Sequence, residues 1–434
     1  MIKKLMILYY YLEQKIIERF VLKDRKKLQK YQEKKLKKHI KFLNKNSYYY
    51  KDLTYEDLKE KNIKYMNKEE MLSNFNDINT VNVKLKDVLK LAVDSELNKK
   101  FDKKLSDISV GLSSGTSGNK GVFISCEKEQ AKWAGKILCK TLYNGIFSNY
   151  KIAFFMRANN NLYESASSKN INIKFFHLLD DFDKNLKQLN DLKPDILIGQ
   201  PSLLIEIAKA ISSNKIEINP KKIISIAELL EKKDEQYLKE IFKANIDQIY
   251  QATEGFIAST CEKGNLHINE EIMIVDKMYL DEKRYHPVIT DFTRRSQPII
   301  NYLLNDILID DDFECGCNNK SRVLKKIEGR MDDVFRFETP TGNIMIYPDF
   351  IRNAIIKSSS DISDYQVIKE NDNLIKVYLG YEENTKENKK YVLKSLNELF
   401  DLKLKSYNNV QIVFIDNIEY EMGKKLKRII NKKR

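Results

Sequence analysis

The sequence predicts an α/β protein, with a large N-terminal domain of mixed and parallel sheets and helices and a small α+β C-terminal domain. Three observations predict it. Between residues 151 and 250, short β-branched and aromatic runs alternate with amphipathic helical stretches, the pattern of a largely parallel sheet. From 264 the pattern turns to short β pieces separated by turn residues. After Arg330 strands and helices alternate again, which sets the expected domains at 1–331 and 332–434. The chain has 434 residues, 42% hydrophobic and 10% aromatic, enough for a core, so wholesale disorder is excluded. With 14 Gly and 7 Pro, collagen-like and linker-dominated architectures are excluded too.

The elements follow in order. Leu5, Ile7, Leu8, Leu12, Ile16, Ile17 and Phe20 recur at helical spacing, so residues 5–45 read as one or two amphipathic helices, a basic lead-in that YYYKDL (48–53) ends. DISVGL (107–112) reads as a strand, 113–121 as a loop of small residues, and 127–147 as a helix. KIAFFM, INIKFF, DILIG, KIISIA and DQIY read as strands, with helices near 181–191, 202–212 and 231–243 between them. In the C-terminal domain, helices are expected near 348–358 and 386–402 and strands at 373–380 and 409–415.

The net charge of +14 is unevenly placed. Residues 1–46 hold 15 Lys/Arg against 4 Asp/Glu, and residues 422–434 hold 7 Lys/Arg and no acid. No zinc-finger, helix-turn-helix or base-stacking signature accompanies this charge, so no nucleic acid is expected. Solvated helix faces are the ordinary reading, and a basic N-terminal helix touching a membrane surface is the alternative. The first apolar run is short and is followed by Glu13 and Glu18 with no small-residue cleavage site, so a soluble, cytoplasmic protein is expected.

Five segments carry chemistry. Ser113, Ser114, Gly115, Thr116, Ser117, Gly118 and Lys120 lie between a strand and a helix. Such a loop turns its amides toward an anion, while hydroxyls and a Lys bind phosphate oxygens. Its spacing differs from the GxxxxGK[ST] loop. Tyr250-Gln251-Ala252-Thr253-Glu254-Gly255 follows a strand, where open α/β sheets bind ligands. Thr290-Asp291-Phe292 precedes an apolar run ending in Asp306, a candidate for ribose hydroxyls. Gly329-Arg330-Met331-Asp332-Asp333 marks the domain junction, and Gly423-Lys424-Lys425-Leu426-Lys427-Arg428 lies near the C-terminus.

In order and spacing these segments resemble the motifs of the adenylate-forming (acyl-AMP) superfamily. Within it they are similar to the phenylacetate–CoA ligase-like branch and its subgroup related to the deazaflavin-coenzyme synthetase and the capsule-cluster adenylate-forming proteins. SSGTSGNKG looks like the phosphate loop, YQATEG the Thr-Glu motif, PIINYLLNDI the segment ending in the ribose-binding Asp, GRMDD the hinge and GKKLKR the catalytic-Lys motif. The loop departs from the family in lacking the proline before its Lys. Asn301 replaces the Arg before Tyr302, and Asn305 replaces the Gly before Asp306.

The resemblance implies an ATP-dependent, AMP-forming acid–thiol ligase. A small-molecule carboxylic acid would become acyl-AMP, with transfer to CoA or another thiol or amine. It implies that Ser113 to Gly118 and Lys120 hold the phosphates, Thr253 meets the α-phosphate and Glu254 binds Mg²⁺. Ala227, Glu228, Tyr250 and Gln251 would border adenine, Asp306 would fix the ribose, and Arg330, in the hinge motif, would also help bind the nucleotide. Either Lys424 or Lys425 would bridge the carboxylate and the α-phosphate, and the small domain would turn about Asp332–Asp333. Phe154, Phe155, Arg157, Asn159, Asn160, Tyr163 and Gln200 lie where the family lines its acid pocket. Two alternatives stay open: nucleotidyl transfer onto a coenzyme-like hydroxyl, and a non-catalytic basic binding protein on the same fold.

Cysteine usage adds a metal reading. Cys261-x5-His267 and Cys315-Gly-Cys317 make a Cys₃His set, which suits a structural Zn²⁺ in tetrahedral geometry. Similar Cys/His pairs occur in some phenylacetate–CoA ligase-like proteins. Cys126 and Cys139 are expected to pack as small hydrophobes in a helical stretch. His39, His177 and His286 are isolated and read as structural or exposed.

Overall fold

The computed structural model describes residues 2–98, 103–112, 121–156, 167–178, 180–310, 313–340, 342–359, 361–381, 385–407, 409–418 and 427–432. They divide into two compact units: residues 1–304 with 310–325, and residues 305–309 with 326–434.

The first unit opens with two helices, α1 (Ile2–Phe20) and α2 (Arg25–Asn46). They are separate because Asp24 caps α2, its side chain accepting from the Lys27 N–H. Three short helices and a longer one follow: α3 (Tyr55–Lys59), α4 (Lys68–Ser73), α5 (Phe75–Ile78) and α6 (Leu85–Asn98). Thr54 and Asp57 form a capping box at α3. Strands β1 (Lys104–Leu105), β2 (Ile108–Leu112) and β3 (Val122–Cys126) make a small antiparallel sheet. Helix α7 (Glu127–Thr141) starts where the sequence predicts and ends six residues sooner. Cys126 is the last residue of β3 rather than helical, and Cys139 is buried in α7 as expected.

The main sheet is built from β4 (Tyr150–Met156), β5 (Ile171–His177), β6 (Ile196–Gly199), β7 (Lys222–Ile226), β8 (Ile246–Ala252), β9 (Gly255–Thr260) and β10 (Leu266–Ile268). Its order is β10-β9-β8-β7-β6-β4-β5. The pairings from β5 to β8 are parallel, and β8–β9–β10 close antiparallel. Between the parallel strands run α8 (Phe182–Leu192), α9 (Pro201–Ser212) and α10 (Lys232–Phe242). Apolar side chains leave both sheet faces, as a parallel sheet covered on two sides requires. Phe154 joins the core that holds α1 and α7, whereas Phe155 joins the one that holds α8, α9 and α10 and stacks on Phe176. Both are core side chains. Strands β11 (Met273–Tyr279), β12 (Arg284–Asp291) and β13 (Ile299–Leu303) pair antiparallel.

In the second unit β14 (Asp306–Ile309) pairs antiparallel with β15 (Lys326–Arg330). β16 (Phe335–Thr339) and β17 (Gly342–Ile346) form a hairpin. Helices α11 (Pro348–Ile356) and α12 (Thr385–Leu404) accompany a four-stranded sheet of β18 (Ile362–Lys369), β19 (Leu374–Tyr381), β20 (Gln411–Ile415) and β21 (Ile429–Asn431). Its core gathers Phe335, Ile351, Val367, Val377, Leu396 and Phe400.

Candidate functional site

Strand order places the candidate site. β4 and β6 are neighbours, yet the chain passes from β4 to β5 on one side before returning to β6 on the other. This reversal is a topological switch point, and open α/β sheets bind ligands beyond the carboxyl ends of strands there. The carboxyl ends of β6, β7 and β8 carry Gln200, Ala227–Glu228 and Thr253–Glu254.

Each of these residues has a local reason for its place. Ala227 leaves β7 with φ of 67°, a left-handed step for a non-glycine residue that turns the chain off the strand. The next carboxylate, Glu228, accepts from the Ser202 N–H at 3.4 Å, at the first turn of α9, where the helix dipole favours an anion. Tyr250 and Gln251 flank a bulge in the β8–β9 ladder, the kind of irregularity that re-aims side chains beside a site. Gly255 packs closely after the Thr-Glu pair: a Cβ there would lie 2.7 Å from Met273 Cε, which would have to shift, and 3.4 Å from Asp291 Oδ2.

Thr253 and Glu254 form the β8–β9 turn, and three groups hold it. The Thr253 hydroxyl donates to Glu254 Oε2 at 2.7 Å. The Tyr302 phenol hydrogen-bonds the Glu254 carboxylate, and burial together with that carboxylate raises its pKa. Arg294 donates to the Thr253 carbonyl and, at 3.4 Å, to the Ile124 carbonyl. Asn301, in place of the family's Arg, has φ of 49°, and its side chain donates to the Ile63 and Lys64 carbonyls at 3.0 and 3.2 Å. Its neighbour Tyr302 is thereby fixed against the Glu254 turn. Asp291 lies buried beneath, accepting from the Thr293 N–H and hydroxyl at 2.7 Å, and burial pushes its carboxyl above the ordinary range.

A second tie runs through Glu129 in the first turn of α7. Its carboxylate accepts from the Cys126 and Ser296 N–H groups at 2.9 Å each, and also from the Arg295 N–H and the Ser296 hydroxyl. Burial opposes its ionisation, but these donors hold its carboxyl below the ordinary range. The strand after the expected phosphate loop is thus pinned to the segment that supports Thr253. Ser113, Ser114, Gly115, Thr116, Ser117, Gly118 and Lys120 lie outside the described residues, as do Arg157, Asn159, Asn160, Tyr163, Lys424 and Lys425. The flanking strands end at the paired residues Leu112 and Val122.

In the second unit Asp306 and Arg330 are register partners, with Arg330 Nε donating to Asp306 Oδ1 at 3.2 Å. Lys427 donates to Asp333 at 2.7 Å, while burial still pushes the Asp333 carboxyl upward. The hinge motif and the end of the C-terminal motif therefore meet within this unit.

The Cys/His residues do converge, although the two pairs lie some fifty positions apart. Cys261, His267, Cys315 and Cys317 place one ligand atom each within 4.8 Å of one another. Cys261 Sγ and Cys315 Sγ are 3.7 Å apart, and Cys317 Sγ is 3.4 Å from His267 Nε2. A tetrahedron with Zn–S bonds of about 2.3 Å has edges of about 3.8 Å, so these spacings suit that ion. The second shell suits it too. His267 Nδ1 sits 2.8 Å from the Ser321 carbonyl, a partner that leaves Nε2 free as a ligand. Asn265 donates to Cys315 Sγ at 3.2 Å, and the Lys263 and Asn319 N–H groups donate to Cys261 and Cys317 at 3.4 Å each. Burial, against the Asn319 N–H, pushes the Cys317 thiol up to about 12, and neighbouring Cys315 and Cys261 add to this. His39, by contrast, is a core histidine. Burial lowers its pKa to about 3, and neither ring nitrogen has a hydrogen-bond partner.

Arg294, Tyr302 and Glu129 escape a motif reading. The only sequence signal is that Arg294 and Tyr302 lie within or beside the Thr-Asp-Phe and Ile-Asn-Tyr segments.

No protein-family profile matches the chain. It is 24% identical over 255 residues to Protein CapK of Staphylococcus aureus, covering 57% of this chain and 55% of that protein. It is 23% identical over 215 residues to the indoleacetate–lysine synthetase of Pseudomonas savastanoi, covering 45% of this chain and 52% of that one. The chain thus spans about half the length of the curated relatives it matches. Among solved structures, 2-hydroxyisobutyryl-CoA ligase in the postadenylation state, in complex with 2-HIB-AMP, superposes with a TM-score of 0.64 at 16% identity. That superposition covers 93% of this chain and 89% of the other. At these identities the likeness establishes the fold.

Proposed function

We propose that this chain, which has the fold of the adenylate-forming ligases, is an ATP-dependent, AMP-forming ligase. It would activate a carboxylic acid as acyl-adenylate and pass the acyl group to a thiol such as CoA or to an amine. The observation that carries the reading is the Thr253–Glu254 turn, held by Tyr302 and Arg294 at the carboxyl edge of the parallel sheet.

Activation needs the acid's oxygen held in line with the α-phosphorus while negative charge moves onto pyrophosphate, so positioning and charge neutralisation do the work. The Thr253 hydroxyl, now donating to Glu254, would turn to an α-phosphate oxygen, and Glu254 would hold Mg²⁺, which would neutralise phosphate charge. The loop 113–118 with Lys120 would take the outer phosphates, and Ala227, Glu228, Tyr250 and Gln251 the adenine. Asp306, steadied by Arg330, would accept from the ribose hydroxyls. Lys424 or Lys425 would supply the cation between the two reactants, carried by a C-terminal unit turning at Asp332–Asp333. An amine acceptor enters because one relative is named for a lysine conjugate. A structural zinc on Cys261, His267, Cys315 and Cys317 would cross-link the β9–β10 hairpin to the 315–323 segment.

The test is acid-dependent exchange of pyrophosphate into ATP, with Mg²⁺ and without CoA, over aromatic, aliphatic and sugar acids. Exchange with at least one acid, lowered at least about a hundredfold by Glu254→Gln, is expected. No exchange, with AMP recovered as an adduct of a hydroxyl compound, would replace this reading with nucleotidyl transfer. Separate Lys424→Ala and Lys425→Ala variants identify the cation; if both keep full exchange, the role given to this segment is wrong.

A further inference from the structure

Helix α1 has two apolar faces. One, with Ile7, Tyr10, Tyr11 and Ile17, is buried, and Ile7, Tyr10 and Tyr11 join the core that holds α7. The other is bare: Ile2, Leu5, Tyr9, Leu12, Ile16 and Phe20 are 76, 60, 62, 46, 58 and 56% exposed. Their spacing of three or four residues puts them on one stripe along the whole helix. Scattered exposed apolar residues need no explanation, whereas a continuous stripe of six marks an interaction surface. The exposed cations Lys4, Lys15 and Arg19 run along one edge of it, also at helical spacing. Of the acids of α1, Glu13 pairs with Lys35 at 3.5 Å, while Glu18 faces Cys139 at 3.5 Å and pairs with the edge cation Lys15 at 3.4 Å. Among the described residues, no helix is long and apolar enough to cross a membrane.

We propose that α1 docks on an anionic lipid surface, lying in its plane with the stripe in the acyl boundary and the cations on the headgroups. Charge selects this occupant over a second copy of the chain. Residues 1–46 carry a net +11, of which α1 itself holds +2 and α2 the larger share, and an anionic surface neutralises this charge where a second copy would double it. The helix is already held on its inner face, so docking requires no folding step, and apolar burial and headgroup attraction add. The proposal is independent of the ligase reading.

The full chain is sedimented with vesicles of phosphatidylcholine alone or mixed with phosphatidylglycerol. Binding to the mixed vesicles only, weakened by salt, is expected. Leu5→Gln, Leu12→Gln and Ile16→Gln together should lower the partition coefficient at least about tenfold, with an unchanged thermal midpoint because all three positions are exposed. Lys4→Gln with Arg19→Gln, which leaves the stripe intact, should lower it by about fivefold for each charge removed. No binding to anionic vesicles, or equal binding by the parent and the apolar variant, overturns the proposal. So does self-association in vesicle-free buffer that the apolar variant abolishes without any lipid binding, which would assign the stripe to a second copy.

Discussion

Two polar clusters in the first unit differ in what completes them. Between α1 and α7, Lys136 donates to Gln14 at 2.8 Å, Gln14 donates to Glu271 at 3.0 Å, and Lys140 pairs with Glu271 at 2.9 Å. Cations and anion answer one another inside the chain. Burial works against Glu271 as an anion, but Lys140 and Lys136 hold its carboxyl below the ordinary range. The Cys/His cluster gathers four donors toward one point and supplies no cation of its own. A network whose charges answer one another is structural, even with Glu271 Oε2 left without a partner, whereas convergent soft donors without a counter-charge call for an ion.

The largest effect should come from removing what the second cluster calls for. Elemental analysis should find about one zinc per chain. Cys315→Ser, or a strong chelator, should abolish that metal and lower the thermal midpoint by roughly 10 °C or more, because metal binding here is folding energy. A metal-free preparation with an unchanged midpoint would erase the contrast between the clusters. Next is Glu271→Gln, which leaves Lys136 and Lys140 buried without their anion. It should cost about 3–5 kcal/mol in denaturant titrations and leave the zinc content untouched. A cost near zero would mean that the network opens to water.

Acid should act in the same sense on Glu271 and on its neighbour Glu270, which pairs with Arg25 and Arg322. Glu270 and Glu271 both have carboxyls held below the ordinary value of 4.5. For Glu270, burial opposes ionisation and Arg25 and Arg322 restore it. A depressed folded-state value means stability that is full above about pH 4.5 and is lost as pH falls through the lowered values. Denaturant midpoints measured down the pH scale should drop there in the parent, and drop less in Glu271→Gln. The smallest effect belongs to Arg25→Gln. Arg322 Nε stays 3.0 Å from Glu270, so the loss should be about 1 kcal/mol, read in the same titration.

The main sheet was legible because its signals are local. KIAFFM, DILIG and KIISIA are apolar runs of strand length, and the helices between them show their period within one segment. The Thr253–Glu254 pair was legible for the same reason, since motif and turn are one stretch of chain. Helices α3 and α4 were not, because each is short and starts at a capping side chain, Thr54 or Asn67, rather than showing a long apolar stripe. Strand β14 is another case. Its four residues pair with β15 some twenty positions later, and that pairing groups residues 305–309 with the second unit.

By itself the sequence determined the α/β class, the order of the chemical segments, the residue types at each and the concentration of positive charge at the N-terminus. Only the tertiary structure decided that Tyr302 meets Glu254, that Arg294 bridges Thr253 and Ile124, and that four metal-ligand residues from two distant segments share one point. It alone showed which apolar face of α1 is covered and which is bare. The physical reason is range. Propensity, capping and periodicity act within a few residues of chain, whereas a hydrogen bond across strands or a shared ion depends on where folding brings distant residues.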